Sequence, residues 1–416
     1  MIINKDLKVA LVHDYLVRFG GAERVVLALR KIFPEAPIYT LLYDEKKMGG
    51  FFRGAEIRTS FLQKFPKFLR KHYQVLAPLM PSAVETLDLR EFDLVISSSS
   101  AFSKGLVLRP KTVHVCYCHN PTRFLWDYSH EYQSRWPSLK KILFHYLRLW
   151  DKSAANRVDY FLANSKITAL RIKKYYGREA KVIYPPVGMA TRQMSSGSVN
   201  FPQRGKFTRG LRSLVALSDT MPARSASVPE GILPSLQEQS SVEYFLIVSQ
   251  LTPYKRIDLA IEAFNKLELP LVIIGEGKDR KRLESLAKEN IKFLGFLPDE
   301  IISQYYQNCA AFIFSGEDDF GLAPVEAMSF GKPVLAYRAG GATETILEGM
   351  TGEFFDDLAS ESLADGVRRL KMNLKNYSPL VIKKRAEKFS EERFEKEIVE
   401  FADKICYPES DTNKVI

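Results

Sequence analysis

Short apolar runs with β-branched residues recur along the chain, separated by stretches with helical spacing, and this alternation restricts the fold more than any other feature. Lys8 to His13 (KVALVH), Phe92 to Ile96, Thr112 to Tyr117, Tyr160 to Ala163 and Lys181 to Tyr184 form a first series. A second begins at Tyr244 with FLIVS and continues through LVIIG at Leu271 to Gly275, IKFLGFL, CAAFIFS at Cys309 to Ser315 and PVLAY at Pro333 to Tyr337. Such runs predict parallel strands buried on both faces, covered by the helices that connect them. The expected fold class is α/β.

Between the two series, Gly188 to Ser241 is rich in Ser, Arg, Pro and Gly and has little sustained periodicity, which reads as a linker or a surface insertion. A chain of 416 residues suits two domains of roughly 150 to 200 residues. The organisation expected is a first domain over 1–187, a flexible linker or insertion over 188–241, a second domain over 242–378, and C-terminal helices over 379–416 that pack back toward the first domain. In that last region Ile382, Ala386, Phe389, Phe394, Ile398 and Phe401 supply apolar helical positions, interrupted near Ser390. No internal repeat of about 20 to 50 residues is present, which excludes simple solenoids and propellers.

Apolar residues at 46% and charged residues at 26% exclude a disordered chain. Cys116, Cys118, Cys309 and Cys406 show neither paired metal spacing nor the density of a disulfide scaffold, so a reducing compartment is expected. The first residues lack the pattern of a signal peptide, and no apolar stretch approaches the ~20 residues that span a bilayer. A cytoplasmic protein is expected, with peripheral contact at the inner face of the plasma membrane as one option. The formal charge of +11 calls for an anionic partner: nucleic acid, an acidic membrane or a phosphorylated substrate. No nucleic-acid motif accompanies the charge. Phe61 to Pro81 (FLQKFPKFLRKHYQVLAPLMP) and Leu139 to Trp150 (LKKILFHYLRLW) interleave basic and apolar residues and read either as core-facing helices or as segments that dock on anionic lipid.

Four segments carry candidate chemistry. In Ser315 to Gly331 (SGEDDFGLAPVEAMSFG) a strand end leads through acids and a glycine into a helix near Pro324, where unpaired amides and the helix dipole attract anions. Phe320, Gly321 and Leu322 offer amides there, while Asp318 and Glu326 can accept hydrogen bonds from sugar or ribose hydroxyls; ordinary helix-end acids are the alternative. In Ser249 to Ile257 (SQLTPYKRI), Lys255 and Arg256 stand at a helix start, where cations oppose the dipole unless a bound anion such as a diphosphate compensates. In His13 to Arg24 (HDYLVRFGGAER), Gly20 and Gly21 form a glycine pair at a strand-to-helix turn, short of the full dinucleotide fingerprint and open to a plain positive-φ account. In Cys116 to Asp127 (CYCHNPTRFLWD), His119 follows a buried strand, where active-site groups of parallel sheets gather, although a core histidine is the commoner case.

Together with LVISSSSAFSKGL at Leu94 to Leu106, RVDYFLANSK at Arg157 to Lys166, KVIYPPV, LTPYKRIDLAIEAF at Leu251 to Phe264 and GGATET at Gly340 to Thr345, these segments resemble the retaining glycosyltransferases of family four. The likeness runs nearly end to end. Within that family it points to bacterial mannosyltransferases of O-antigen and surface-polysaccharide synthesis. It implies the GT-B fold, two Rossmann-like doubly wound domains facing across a cleft. It implies a nucleotide-sugar donor, GDP-mannose in preference to a UDP-sugar, a lipid-linked glycan or polysaccharide acceptor, and no metal or other cofactor. It also implies roles: Lys255 neutralises the donor diphosphate, Glu326 holds the ribose, Asp318 and the amides of Phe320, Gly321 and Leu322 orient the transferred sugar, His119 stands beside that sugar, and Gly20 and Gly21 line the cleft.

The chain departs from the family pattern at four places. Gln250 stands where relatives carry an arginine, with Arg256 as the nearby cation. Asp318 is one methylene shorter than the usual glutamate, Gly188 replaces an aspartate, and 188–241 exceeds the usual interdomain connection. The alternatives these leave open are a UDP-sugar transferase or other GT-B enzyme such as an epimerase, and a weakened nucleotide-sugar-binding protein.

Overall fold

The computed structural model describes residues 7–127, 137–188 and 243–407. The expected linker 188–241 lies outside the described residues except for Gly188. The described residues up to 186, together with those from 391 onward, form one compact unit, and those between 187 and 390 form the other.

The first unit is built on seven parallel strands: β1 (Val9–Leu16), β2 (Ile38–Tyr43), β3 (Ile57–Thr59), β4 (Leu94–Ser99), β5 (Val113–Cys118), β6 (Tyr160–Ala163) and β7 (Ala180–Val182), in the order β3-β2-β1-β4-β5-β6-β7. Successive side chains alternate between the two faces, and both faces are buried. Leu11 and Ile96 join a cluster with Val25, Val26 and Leu29 of the helix Gly21–Ile32 and with Phe394, Ile398 and Ala402 of the helix Glu391–Cys406. Val12 and Val95 point the other way, into a cluster closed by Leu62, Leu76, Met80 and Leu147.

The second unit has six parallel strands: β8 (Phe245–Val248), β9 (Leu271–Ile274), β10 (Ile291–Gly295), β11 (Ala311–Phe314), β12 (Val334–Tyr337) and β13 (Gly352–Phe355), in the order β10-β9-β8-β11-β12-β13. Both sheets are Rossmann-like. Each winds outward from a central pair, β1 beside β4 in the first and β8 beside β11 in the second, so the loops that leave those pairs diverge to opposite faces and open a crevice between them.

Three strands escape the sequence pattern: β2, β3 and β13. The region 379–416, expected to turn back as a whole toward the first domain, is divided. The helix Pro379–Glu387 packs against the helix Leu322–Ser329 of the second unit, and Glu391–Cys406 alone belongs to the first. Phe61 to Pro81 is a chain of short pieces, a 3₁₀ turn over Phe61–Lys64, a helix over Lys67–Lys71 that follows Pro66, a second 3₁₀ stretch over Tyr73–Leu79 that contains Pro78, and the start of a helix over Met80–Glu85; the prolines, which lack an N–H, disfavour one continuous α-helix. Pro137–Ala155 is one continuous helix.

Candidate functional site

In the second unit the crevice lies beyond the carboxyl ends of β8 and β11. The loop after β8 ends in a 3₁₀ turn over Pro253–Lys255, and the loop after β11 runs from Ser315 to Gly321. Lys255 forms an ion pair with Asp318, with both side chains largely enclosed, and its ammonium lies 5.8 Å from the centre of the Phe314 ring. The Ser315 hydroxyl donates to the Lys255 carbonyl at 3.0 Å and ties the two loops together. A small recess is lined by Ile247, Ser249, Lys255, Phe314, Ser315 and Gly316.

The other predicted donor residues of this unit lie on the same two loops and on the helix Leu322–Ser329. Phe320 is buried and packs edge-to-face on Phe389, so its side chain serves the core and only its backbone can face a ligand. Gly321 takes φ 80° as the N-cap of the helix Leu322–Ser329, a left-handed conformation that favours glycine, and no side chain caps that helix. Glu326, one turn into the helix, is 7% exposed, and the Tyr306 hydroxyl donates to its Oε2 at 3.0 Å. The loop is braced from behind by Gly341, whose amide donates to the Asp318 carbonyl at 2.9 Å; a Cβ at Gly341 would stand 2.3 Å from the Phe320 Cα. Gln250 is half-buried, and its carbonyl accepts from the Thr252 amide at 3.0 Å.

Arg256 is a correction to the helix-dipole reading. It lies before the helix, at φ 49°, and its guanidinium is 3.3 Å from Asp258 in the first turn of Ile257–Leu267. That acid supplies a favourable charge at the helix start without any ligand.

In the first unit the crevice lies at β1 and β4, where His13 and Ser98 are register partners. His13 Nδ1 is 3.0 Å from the Ser98 carbonyl oxygen and 3.2 Å from its hydroxyl, and Nε2 is 3.3 Å from Glu23 Oε1. The same hydroxyl meets Nε2 of His119, just after β5, at 2.8 Å. Burial opposes the charged form of His13, but the hydrogen bond and charge of Glu23 outweigh it and raise the pKa. His119 is pushed down to about 3 by burial and then by the nearby His13. Gly20 is extended at φ −162°, and Gly21 opens the helix, so the positive-φ account of the glycine pair fails; a Cβ at Gly20 would instead stand 3.1 Å from the Glu23 carboxylate.

Sequence reasoning missed His13, Ser98 and Glu23, although the rule that singled out His119, a polar residue at the carboxyl end of a parallel strand, applies equally to His13. It also missed two buried carboxylates that shape this crevice. Asp14 accepts backbone amides from Ser100, Ala101, Phe102 and Ser103 at 2.6 to 2.8 Å and so fixes the loop after β4. Asp151 pairs with the buried Lys104 at 2.5 Å and accepts from Thr122, Trp126 and Tyr176.

Among the described residues, no group of three His, Cys, Asp or Glu side chains could hold a metal ion. No helix there is long and apolar enough to cross a membrane. The polar groups of the second crevice, a lysine, two carboxylates and a helix start, suit a ligand that carries both phosphate and hydroxyl groups.

The family model for Glycosyltransferase Family 4 matches residues 19–190, and that for glycosyl transferases group 1 matches residues 231–390. The alpha-1,3/1,6-mannosyltransferase ALG2 of Dictyostelium discoideum is 22% identical over 84% of this chain and 86% of its own length. Its Saccharomyces cerevisiae counterpart is 24% identical over 85% and 74%. Among solved structures, Anabaena Alr3699/HepE in complex with UDP-glucose aligns over 95% of this chain and 99% of its own, with a TM-score of 0.65 at 19% identity. The fold is GT-B. With one family model on each half, the chain belongs to the glycosyltransferases, carrying a family 4 domain followed by a group 1 domain.

Proposed function

We propose that the protein is a retaining mannosyltransferase that moves mannose from GDP-mannose to a lipid-linked glycan or polysaccharide acceptor. The observation that carries this reading is the similarity to alpha-1,3/1,6-mannosyltransferases over more than four fifths of the chain. A shorter match, 28% identical over 28% of this chain and 32% of its own length, is a D-rhamnosyltransferase of Pseudomonas aeruginosa.

The crevice of the second unit supports the donor half of the reaction. Lys255 would exchange its Asp318 partner for the diphosphate, with Arg256 and Gln250 at the same loop, and Glu326 would accept from the ribose. Asp318 and the amides of Phe320, Gly321 and Leu322 would then meet the sugar. Charge developing on the departing diphosphate is stabilised by a fixed cation and amides, which is enough to drive transfer without a proton donor to the leaving group. In the first unit His119 would stand beside the sugar, and Gly20 and Gly21 would leave room for phosphate and acceptor.

A lipid-linked acceptor calls for contact with a membrane. The 3₁₀ and helical pieces between residues 61 and 79 expose Phe61, Phe68, Val75 and Leu79 beside Lys64, Lys67 and Lys71, and the helix Pro137–Ala155 exposes Ile142, Tyr146 and Leu149. Both elements cover the same apolar cluster of the first unit. An anionic bilayer at the inner face of the plasma membrane is the partner that answers this combination of charge and exposed apolar side chains.

The reading is tested by incubating the protein with GDP-mannose, UDP-glucose and other nucleotide sugars, following both the melting temperature and transfer to a lipid-linked acceptor. GDP-mannose should stabilise the protein most and support transfer. Stabilisation and transfer confined to a UDP-sugar would replace the donor assignment, and binding without turnover would point to a sugar-nucleotide-binding protein.

A further inference from the structure

The chain Glu23, His13, Ser98, His119 fixes where each proton sits. A backbone carbonyl can only accept, so the 3.0 Å contact between His13 Nδ1 and the Ser98 oxygen requires a proton on Nδ1. The other nitrogen, Nε2, faces the Glu23 carboxylate at 3.3 Å and carries a proton as well. His13 is therefore an imidazolium paired with Glu23. The Ser98 hydroxyl stands within reach of two rings but owns one hydrogen. Its oxygen accepts from the protonated Nδ1 of His13 at 3.2 Å, and among the described residues the one acceptor within reach of its own hydrogen is Nε2 of His119, 2.8 Å away. Nε2 of His119 is then the acceptor, and the single proton of the neutral ring lies on Nδ1. Among the described residues His119 Nδ1 has no hydrogen-bond partner, and the side chain is half-buried. A second proton on this ring would have to face the positive charge of His13 across one hydroxyl.

We propose that His119 is locked as the neutral Nδ1–H tautomer, that it serves as a hydrogen-bond donor and never as a base, and that Ser98 and His13 are the positioning residues that impose this state. A neutral N–H suits an uncharged oxygen acceptor, a hydroxyl of the sugar on the reading above. Only the identity of that acceptor rests on the proposed function; the tautomer follows from the geometry of the first unit. The acceptor's proton must consequently leave by another route than His119, whose one lone pair is engaged by Ser98.

The proposal is tested by long-range proton–nitrogen correlation spectra of protein labelled with ¹⁵N-histidine, near neutral pH, with His119→Gln used to assign the His119 signals. The expected pattern is a protonated-type Nδ1 and an unprotonated-type Nε2 on His119, with both nitrogens of His13 protonated. Ser98→Ala should release the lock and give a mixture of tautomers, and Ser98→Thr, which keeps the hydroxyl, should restore it. Glu23→Gln, a milder change on the helix Gly21–Ile32, should remove the Nε2 proton of His13 and leave Nδ1 protonated against the Ser98 carbonyl, so the His119 tautomer should hold. In transfer assays Ser98→Ala should lower kcat about tenfold while the Kd for the nucleoside diphosphate stays unchanged, and Ser98→Thr should recover most of the loss. A His119 protonated on Nε2 in the unaltered protein, or a tautomer indifferent to Ser98→Ala, would overturn the proposal. These spectra need no turnover, so a wrong donor or acceptor would leave their outcome intact.

Discussion

Lys255 and Asp318 are each other's counter-charge, and that relation decides what each substitution does. A partly enclosed ion pair of this kind is worth about 1 kcal/mol. Removing the carboxylate leaves a cation in search of an anion: Asp318→Ala should tighten GDP binding by about threefold to tenfold in titration calorimetry, while transfer falls by about a hundredfold because the sugar loses a contact. Lys255→Ala should weaken GDP binding and abolish transfer with little change in melting temperature. Weaker GDP binding in Asp318→Ala would show that the acid holds the nucleotide directly instead of competing for the lysine. The place of Lys255 in the loop beyond β8, though not its role, was legible from the apolar run before it. Its neighbour Arg256 was not, since the helix begins one residue later than the pattern suggests and already holds its own acid, Asp258. His13 was hidden for another reason. Within KVALVH it completes an apolar run, and only the pairing of β1 with β4 shows that Ser98 lies beside it.

At the scale of elements, the strands that were legible are apolar enough to stand out against their surroundings. Those that were missed break that rule in identifiable ways. The strand β3 has three residues, IRT, too few for any period. β13 reads GEFF and carries a glutamate into the sheet, where Glu353 is 9% exposed and accepts from the Tyr377 hydroxyl at 2.5 Å. β2, IYTLLY, is strand-like in itself but carries a threonine and two tyrosines that blur its apolar run. The amphipathic segments present a contrast of the same kind. Periodicity revealed alternating basic and apolar residues over Phe61 to Pro81, but only the folded prolines show which of them face outward. Phe68 is 66% exposed and Ile142 is 67% exposed. Sedimentation with vesicles containing anionic lipid should therefore carry the protein down at low salt and release it at high salt, and Phe68→Ser with Ile142→Ser should reduce binding by about tenfold. Equal partition onto neutral vesicles would remove the electrostatic part of this account.

For the whole molecule, the two series of strands announced two domains, but the connectivity at the end of the chain was not contained in them. Of the six apolar positions read there, Ile382, Ala386, Phe389, Phe394 and Ile398 are buried and Phe401 is half-buried. Which unit each would serve depends on the break near Ser390, where the helix Pro379–Glu387 ends and the helix Glu391–Cys406 begins. The last helix places Phe394 within 5.8 Å of the Tyr117 ring, against the centre of the first sheet. Phe394→Ala should cost about 3 to 5 kcal/mol of stability in the first unit, as truncation of a fully buried aromatic side chain usually does. Differential scanning calorimetry should show one transition lowered and the other held, and a loss shared equally by both would mean that the units do not unfold separately.

The return of that helix also matters during synthesis. Domains usually fold as they emerge, the N-terminal one first. Here the residues that cover Val25, Val26 and Leu29 are translated only after the 204 residues of the second unit, Val187–Ser390. At typical elongation rates that interval is about 10 to 40 s. Through it the nascent chain carries its first sheet with one apolar flank unclosed, a surface that molecular chaperones bind, and the first unit closes only when the helix Glu391–Cys406 arrives.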